Sequence, residues 1–245
     1  MKVNIVRFAV FTALVYVFTV VVQFAQPFTG GYFNLGEAAI YVCALISDPL
    51  TTGLAGGIGS ALADATTGYG IFAPATLLIK FTEGYVASLL FKKMGRSNSS
   101  IANWLVSLIY FVAISAIGIK FFSGNLTLSL SSYSFSFNIP WEFWVLVGAI
   151  IMIIPFIIER RTKAGARYAS LLLAGMIMVT GYFLYEFFIS NPLTGRPSIA
   201  AVFEVPVNFG QALVGAAVAI PVYSFLRKGG YIEDEEDKSE DKDKK

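Results

Sequence analysis

The chain has 245 residues, 56% of them hydrophobic and 14% charged, with a formal net charge of +2, whereas ordinary soluble domains carry about 25% charged residues. Several apolar runs approach the ~20 residues that cross a hydrocarbon core of about 30 Å, so the chain reads as a polytopic α-helical membrane protein. The sequence holds no histidine and one cysteine, Cys43, which excludes an internal disulfide, a zinc site of the usual Cys/His kind and Ser-His-Asp or Cys-His catalysis. It has no G-x-x-x-x-G-K-[ST] run and is therefore not itself a P-loop ATPase.

The first apolar segment runs from about Asn4 to Ala25. It is longer than the core of a signal peptide and lacks an A-x-A cleavage pattern, so a retained helix is expected. A loop from Gln26 to Phe33 follows, in which Pro27, Gly30 and Gly31 favour turns. Segment two, about Asn34 to Ile46, is short. Asp48-Pro49 ends it, because the residue before a proline is pushed out of the α region. Cys43 lies inside this apolar run and reads as a small core residue. Segment three, about Leu50 to Tyr69, is rich in small residues: Gly53, Gly57, Ser60 and Asp64 fall at offsets 0, 4, 7 and 11, on one helical face. Small residues on a face let neighbouring backbones approach closely, so Asp64 is expected to face protein and not lipid. Segment four, about Phe72 to Lys93, begins after Gly68-Tyr69-Gly70, has Pro74 in its first turn, and carries Lys80 and Glu83 one turn apart.

Segments five (about Ile101 to Phe122) and six (about Trp141 to Ile158) flank LTLSLSSYSFSFN, Leu126 to Asn138, whose alternation is the period of a strand or hairpin. Segment seven spans about Arg167 to Ile189. Segment eight spans about Glu204 to Leu226, after a loop with Pro192, Gly195 and Pro197. Beyond Lys228 the stretch GGYIEDEEDKSEDKDKK holds eight acids and four lysines. It has too little apolar surface to fold, so residues 229–245 are expected to form a disordered acidic tail.

Lys/Arg bias sets the orientation. With eight spans and an inner N-terminus, the inner side holds Lys2, Arg7, Lys92, Lys93, Arg96, Arg160, Arg161, Lys163, Arg167, Arg227 and Lys228, and the outer side only Lys120 and Arg196. Both termini are then cytoplasmic, in a multi-pass protein of the plasma membrane. Basic residues beside membrane segments serve orientation, so no nucleic-acid partner is expected. Trp141 and Trp144 fall at the outer interface and Trp104 at the inner one.

Charged residues near the bilayer centre cost roughly 3 kcal/mol or more each, yet Asp64, Lys80 and Glu83 stand within apolar runs. In this topology Glu37 opens segment two, Glu186 ends segment seven one turn above Tyr182, and Glu204, Asn208, Gln211 and Gly215 share a face of segment eight. Nearly all these polar residues occupy the outer half, as a ligand pocket open outward and closed beneath requires. A channel or proton wire distributes polar groups through the full thickness. Structural alternatives remain for some of them. Lys80 and Glu83 can neutralise each other as a pair, Asn208 and Gln211 can be interhelical glue, and Glu204 can be solvated or cap a helix. Several carboxylates against one lysine favour a neutral heterocycle with donor groups, or a cationic solute, over a phosphorylated one.

The runs G-G-Y-F-N-L-G-E (30–37), G-x-x-G-G-x-G-S-A-L-A-D (53–64), G-Y followed by A-P-A-T-L-L-I-K (68–80), G-Y-F-L-Y-E (181–186) and V-P-V-N-F-G-Q-A-L-V-G-A (205–216) resemble the S component of energy-coupling factor (ECF) vitamin transporters, of the riboflavin and hydroxymethylpyrimidine type. The resemblance covers about residues 1–95 and 170–228. It implies an all-α, six-helix core binding a B-vitamin or related heterocyclic precursor in an outward pocket. The T component and two ATP-binding subunits are the implied partners in inward delivery. The candidate substrate-binding residues are Glu37, Asp64, Lys80, Glu83, Tyr182, Glu186, Asn208 and Gln211, with Asn34 and Tyr69 inside the matching runs. Ala9 and Ala13 match the family's A-x-x-x-A contact motif and are candidates for partner binding. Residues 97–166 depart from the family as an inserted helical pair with an outer alternating stretch. No enzyme activity, cofactor or metal is expected. A stand-alone ion-coupled transporter using Asp64, Lys80 and Glu83 as a relay is the alternative reading, although no inverted repeat is evident.

Overall fold

A computed structural model describes residues 4–26, 29–94, 100–130, 133–162 and 165–232. Residues 233–245 of the expected acidic tail, and the expected inner charges Lys2, Arg96 and Lys163, lie outside the described residues. Helix α1 (Ile5–Val21) starts at Asn4, whose side-chain oxygen accepts the Arg7 amide at 3.1 Å, a normal N-cap. The expected loop after it is a hairpin: β1 (Gln23–Ala25) pairs antiparallel with β2 (Tyr32–Asn34). Helix α2 (Gly36–Ile46) has 11 residues and is buried along most of its length. That is too short to cross a bilayer, and it packs centrally against α1, α3, α4 and α9.

Asp48-Pro49 ends α2 and begins α3 (Pro49–Thr66), the Asp48 carboxylate accepting the Thr51 amide at 3.0 Å. Gly68 then turns the chain with φ +90 into α4 (Ala73–Met94). The small-residue face of α3 explains how closely these two helices pack. A Cβ on Gly57 would stand 2.6 Å from the Leu77 carbonyl oxygen, and one on Gly53 2.8 Å from that of Phe81. Backbone cannot yield there, so Gly57→Leu is expected to force the pair apart and lower thermal stability by about 1–3 kcal/mol. A detergent melting curve unchanged by the substitution would contradict this packing.

Helices α5 (Ser100–Phe122) and α6 (Trp141–Thr162) form a helical pair joined by the hairpin β3–β4 (Gly124–Leu130 and Tyr133–Ile139). The alternating run is indeed two antiparallel strands, Gly124 opposite Ile139. The pair is anchored by Tyr110, fully buried, which donates to the Leu172 carbonyl at 2.9 Å and meets the Phe209 ring edge-on at 4.8 Å. Trp104 and Trp141 are exposed as interface residues should be, whereas Trp144 packs on α5 and donates to the Phe122 carbonyl at 3.1 Å.

Helix α7 (Gly165–Tyr185) runs on through a π-helical turn (Glu186–Ser190) into a one-turn helix α8 (Asn191–Leu193), and a 3-10 turn (Ser198–Phe203) leads into α9 (Val205–Lys228). Both hairpins and the 186–204 connection lie at one end of the bundle. Lys92, Lys93, Arg167, Arg227 and Lys228 mark the opposite, basic end. Among the described residues, three stretches are long and apolar enough to cross a membrane (Trp104–Phe122, Arg167–Leu193 and Ser198–Lys228), and Ile5–Val21, Gly36–Ile46 and Trp141–Ile153 are shorter apolar helices. Of the eight segments expected to span, α2 is too short to cross, and α3 and α4 are rich in small and polar residues.

Candidate functional site

A crevice opens at the hairpin end of the bundle. Each wall comes from a helix end. The last two turns of α3 supply Ser60 and Asp64, Phe72 stands just before α4, and α4 supplies Thr76 and Lys80. Tyr182 and Glu186 come from α7 and its π turn, and Asn208 and Gln211 from α9 with Glu204 just before it. Thr19 of α1, and Gly31, Tyr32 and Asn34 of the first hairpin, close the remaining side.

Asp64 fastens three of these walls. Its two carboxylate oxygens accept from Tyr32 Oη and Thr76 Oγ1, each at 2.5 Å, and Thr76 Oγ1 lies 2.9 Å from Tyr182 Oη. Burial, and then the Asp64 carboxylate beside it, push the Tyr32 phenol well above its ordinary pKa. It therefore stays a donor at any physiological pH. Tyr69 does not line the crevice. It packs on Tyr32 with the rings tilted by 37° and their centres 4.1 Å apart.

Lys80 forms the floor. Its ammonium is paired with Glu37 Oε1, lies 3.3 Å from Glu83 Oε2, and sits 5.5 Å from the Tyr182 ring centre. Tyr41 donates to the other Glu83 oxygen at 2.8 Å. Glu37 and Glu83 are buried beneath the crevice and turned to Lys80, so neither lines it. The pairing is a three-membered cluster with both acids on one lysine, not the Lys80–Glu83 pair alone.

On α9, Gln211 serves as glue and as wall. Its Oε1 accepts the Asn34 backbone amide at 2.7 Å, and its Nε2 donates to Asn208 Oδ1 at 2.9 Å. Asn34 Oδ1 accepts the Gly36 amide at 2.8 Å, starting α2. Two buried polar atoms of the wall have no partner: Asn208 Nδ2, a donor, and Glu186 Oε2, an acceptor. Buried groups left so cost about 1–3 kcal/mol each. A bound solute that satisfies them recovers that energy.

Glu204 is neither solvated nor a side-chain cap. It is 3% exposed and accepts from Thr29 Oγ1 at 2.5 Å. Tyr32, Thr76, Ser60, Thr19 and Phe72 line the crevice but are not among the candidate binding residues read from the sequence. Thr76 had a signal, since it stands four residues before Lys80 on the same helical face. Ser60 shares the small-residue face of α3 with Asp64 and Thr19 lies within α1, whereas Tyr32 and Phe72 lie near chain turns, where no periodicity orients a side chain. Ala9 and Ala13 are both exposed on α1, away from the contact that Thr12 and Val15 make with Gly59 of α3.

The fold and site define a multi-pass helical membrane protein with a closed-bottomed solute crevice at one end. The family model for the S component of ECF-type riboflavin transporters matches residues 2–134, and with more than half of the chain matched, the protein belongs to that family. S components are transport subunits of the plasma membrane and not enzymes. A protein of Pyrococcus woesei described as an uncharacterized protein in gap 3'region is 46% identical over 68 residues, 28% of this chain and 45% of the relative. The chain thus spans less than half the length of that relative.

Proposed function

We propose that this chain is the substrate-binding subunit of an ECF-type importer, with its crevice facing outward and both termini cytoplasmic. It captures riboflavin, or a closely related heterocycle, and delivers it inward with a T component and two ATP-binding subunits. The observation that carries this reading is the unspent donor of Asn208 and acceptor of Glu186 in an aromatic-walled crevice. Tyr32, Phe72 and Tyr182 suit a planar ring. Below Gln211 the buried face of α9 is apolar (Ala212, Ala216, Ala219, Ile220), as expected of a capture site and not of an open path. The basic end falls on the cytoplasmic side by the Lys/Arg rule.

Mass spectrometry of the small molecule released from gently purified protein tests the reading. A flavin is expected, and an unrelated solute retained at stoichiometric amount would overturn the substrate assignment.

In the same reading the exposed Ala9 and Ala13 form the stripe against which the T component packs. The double variant Ala9→Trp/Ala13→Trp is expected to abolish uptake in cells while leaving ligand affinity of the purified subunit unaltered. Normal uptake would remove this contact.

A further inference from the structure

The hairpin β3–β4 carries no charge. From Phe121 to Trp141 the sequence has no Asp, Glu, Lys or Arg, although the open edges of a two-stranded sheet present unpaired backbone groups. The cross-strand register sorts its residues into two classes. Leu126, Leu128 and Leu130 stand opposite Phe137, Phe135 and Tyr133, and the intervening rungs pair Thr127 with Ser136 and Ser129 with Ser134. Alternate residues of a strand share a face, so one face takes the Leu, Phe and Tyr positions and the other the hydroxyls. At the base the polar face continues in Asn125 and Asn138, both exposed, with Asn138 Nδ2 donating to Asn125 Oδ1 at 2.8 Å. Among the described residues, each strand packs on the other and no helix lies along either. The apolar face therefore needs a cover from outside the chain.

We propose that this cover is the lipid headgroup interface: the hairpin lies on the membrane surface, its Leu/Phe/Tyr face toward the acyl chains and its hydroxyl face toward water. The position of its ends supports this occupant. Strand β3 begins just after the stretch Trp104–Phe122, which is long and apolar enough to cross a membrane, so the hairpin starts where that span leaves the hydrocarbon. At its two bases stand Lys120 and Trp141, both exposed, residue types that mark the headgroup level. Its own backbone rules out a deeper position. Strands of seven residues fall short of the ~9–11 that cross a bilayer, and open sheet edges find no partners in hydrocarbon. The uncharged edges equally disfavour a hairpin standing free in water, where exposed edges are protected by charge. At the headgroups both demands are met, because water reaches the edges while aromatic residues settle at the boundary. The hairpin thus anchors the α5–α6 pair at one end, and this holds whatever the crevice binds.

Single cysteines on adjacent rungs test this on the full chain in phosphatidylcholine/phosphatidylglycerol nanodiscs. Leu128→Cys and Phe135→Cys report the apolar face, Ser129→Cys and Ser134→Cys the polar one, each carrying a nitroxide spin label. Wild type, whose Cys43 is buried, is the unlabelled control. Collision with dissolved oxygen and with a water-soluble nickel chelate reads the depth of each label. Labels at 128 and 135 are expected about 5–10 Å below the phosphates. Their oxygen-to-nickel ratio is expected to be severalfold higher than at 129 and 134, which stay open to nickel. Four labels equally open to nickel would overturn the proposal, since the hairpin then stands in water. Labels at 128 and 135 closed to both reagents would also overturn it, because that face is then packed on protein, either this chain or a second copy.

Discussion

Lys80→Met is expected to destabilise the purified protein by roughly 3–5 kcal/mol, the cost of stranding buried charge. Two carboxylates, Glu37 at 1% and Glu83 at 0% exposure, face the Lys80 ammonium, and the other nearby donor is Tyr41 on Glu83. Without the ammonium, like charges are left against each other in an apolar interior. Neutralising the acids in the triple variant Lys80→Met/Glu37→Gln/Glu83→Gln is expected to recover most of the loss, since buried ionic clusters are replaceable as a unit. Melting curves in detergent decide it. A single variant as stable as wild type would mean that the cluster is not a charged unit.

Asp64→Ala is expected to lower riboflavin affinity about 100-fold. Hydrogen bonds to a charged group contribute about 1.5–3 kcal/mol each, and every 1.4 kcal/mol is about tenfold in affinity. Asp64 holds two, to Tyr32 on the hairpin and to Thr76 on α4. Its removal frees the hairpin wall and lets Thr76 and Tyr182 turn inward. Tyr32→Phe, which removes one of the two bonds and keeps the ring, is expected to cost about tenfold. Calorimetric affinities of the two variants that match wild type would contradict the role given to this carboxylate.

Most helices were legible because apolar runs are bounded by Gly, Pro and Asx punctuation. Asp48-Pro49 marks one boundary and Gly68 another, and the small-residue face of Gly53 and Gly57 foretold close packing on α4. The alternation of the 126–138 run gave its hairpin. The first hairpin was hidden, since strands of three residues, Gln23–Ala25 and Tyr32–Asn34, are too short to show a period. The π turn at Glu186–Ser190 has no sequence signature, as helical periodicity continues through it.

Asp64, Lys80, Tyr182, Glu186, Asn208 and Gln211, which the sequence places in the outer half of their segments, all line one crevice. Depth alone did not separate Lys80 from Glu83. One turn of α4 puts the first at the floor and the second beneath it, and the Glu37 side chain is drawn down to the same ammonium. Direction at that scale depends on which neighbour satisfies the charge, and no sequence period records it. Glu204 and Thr29 are joined across 175 residues, a pairing that local patterns do not contain.

Calorimetric titration of riboflavin into the purified full-length chain, wild type beside Asn208→Leu, bears most directly on the crevice as the capture site. Saturable one-to-one binding by wild type, weakened at least about tenfold when the Asn208 donor is lost, is the expected result. Binding absent from wild type, or equal in the two proteins, would contradict it.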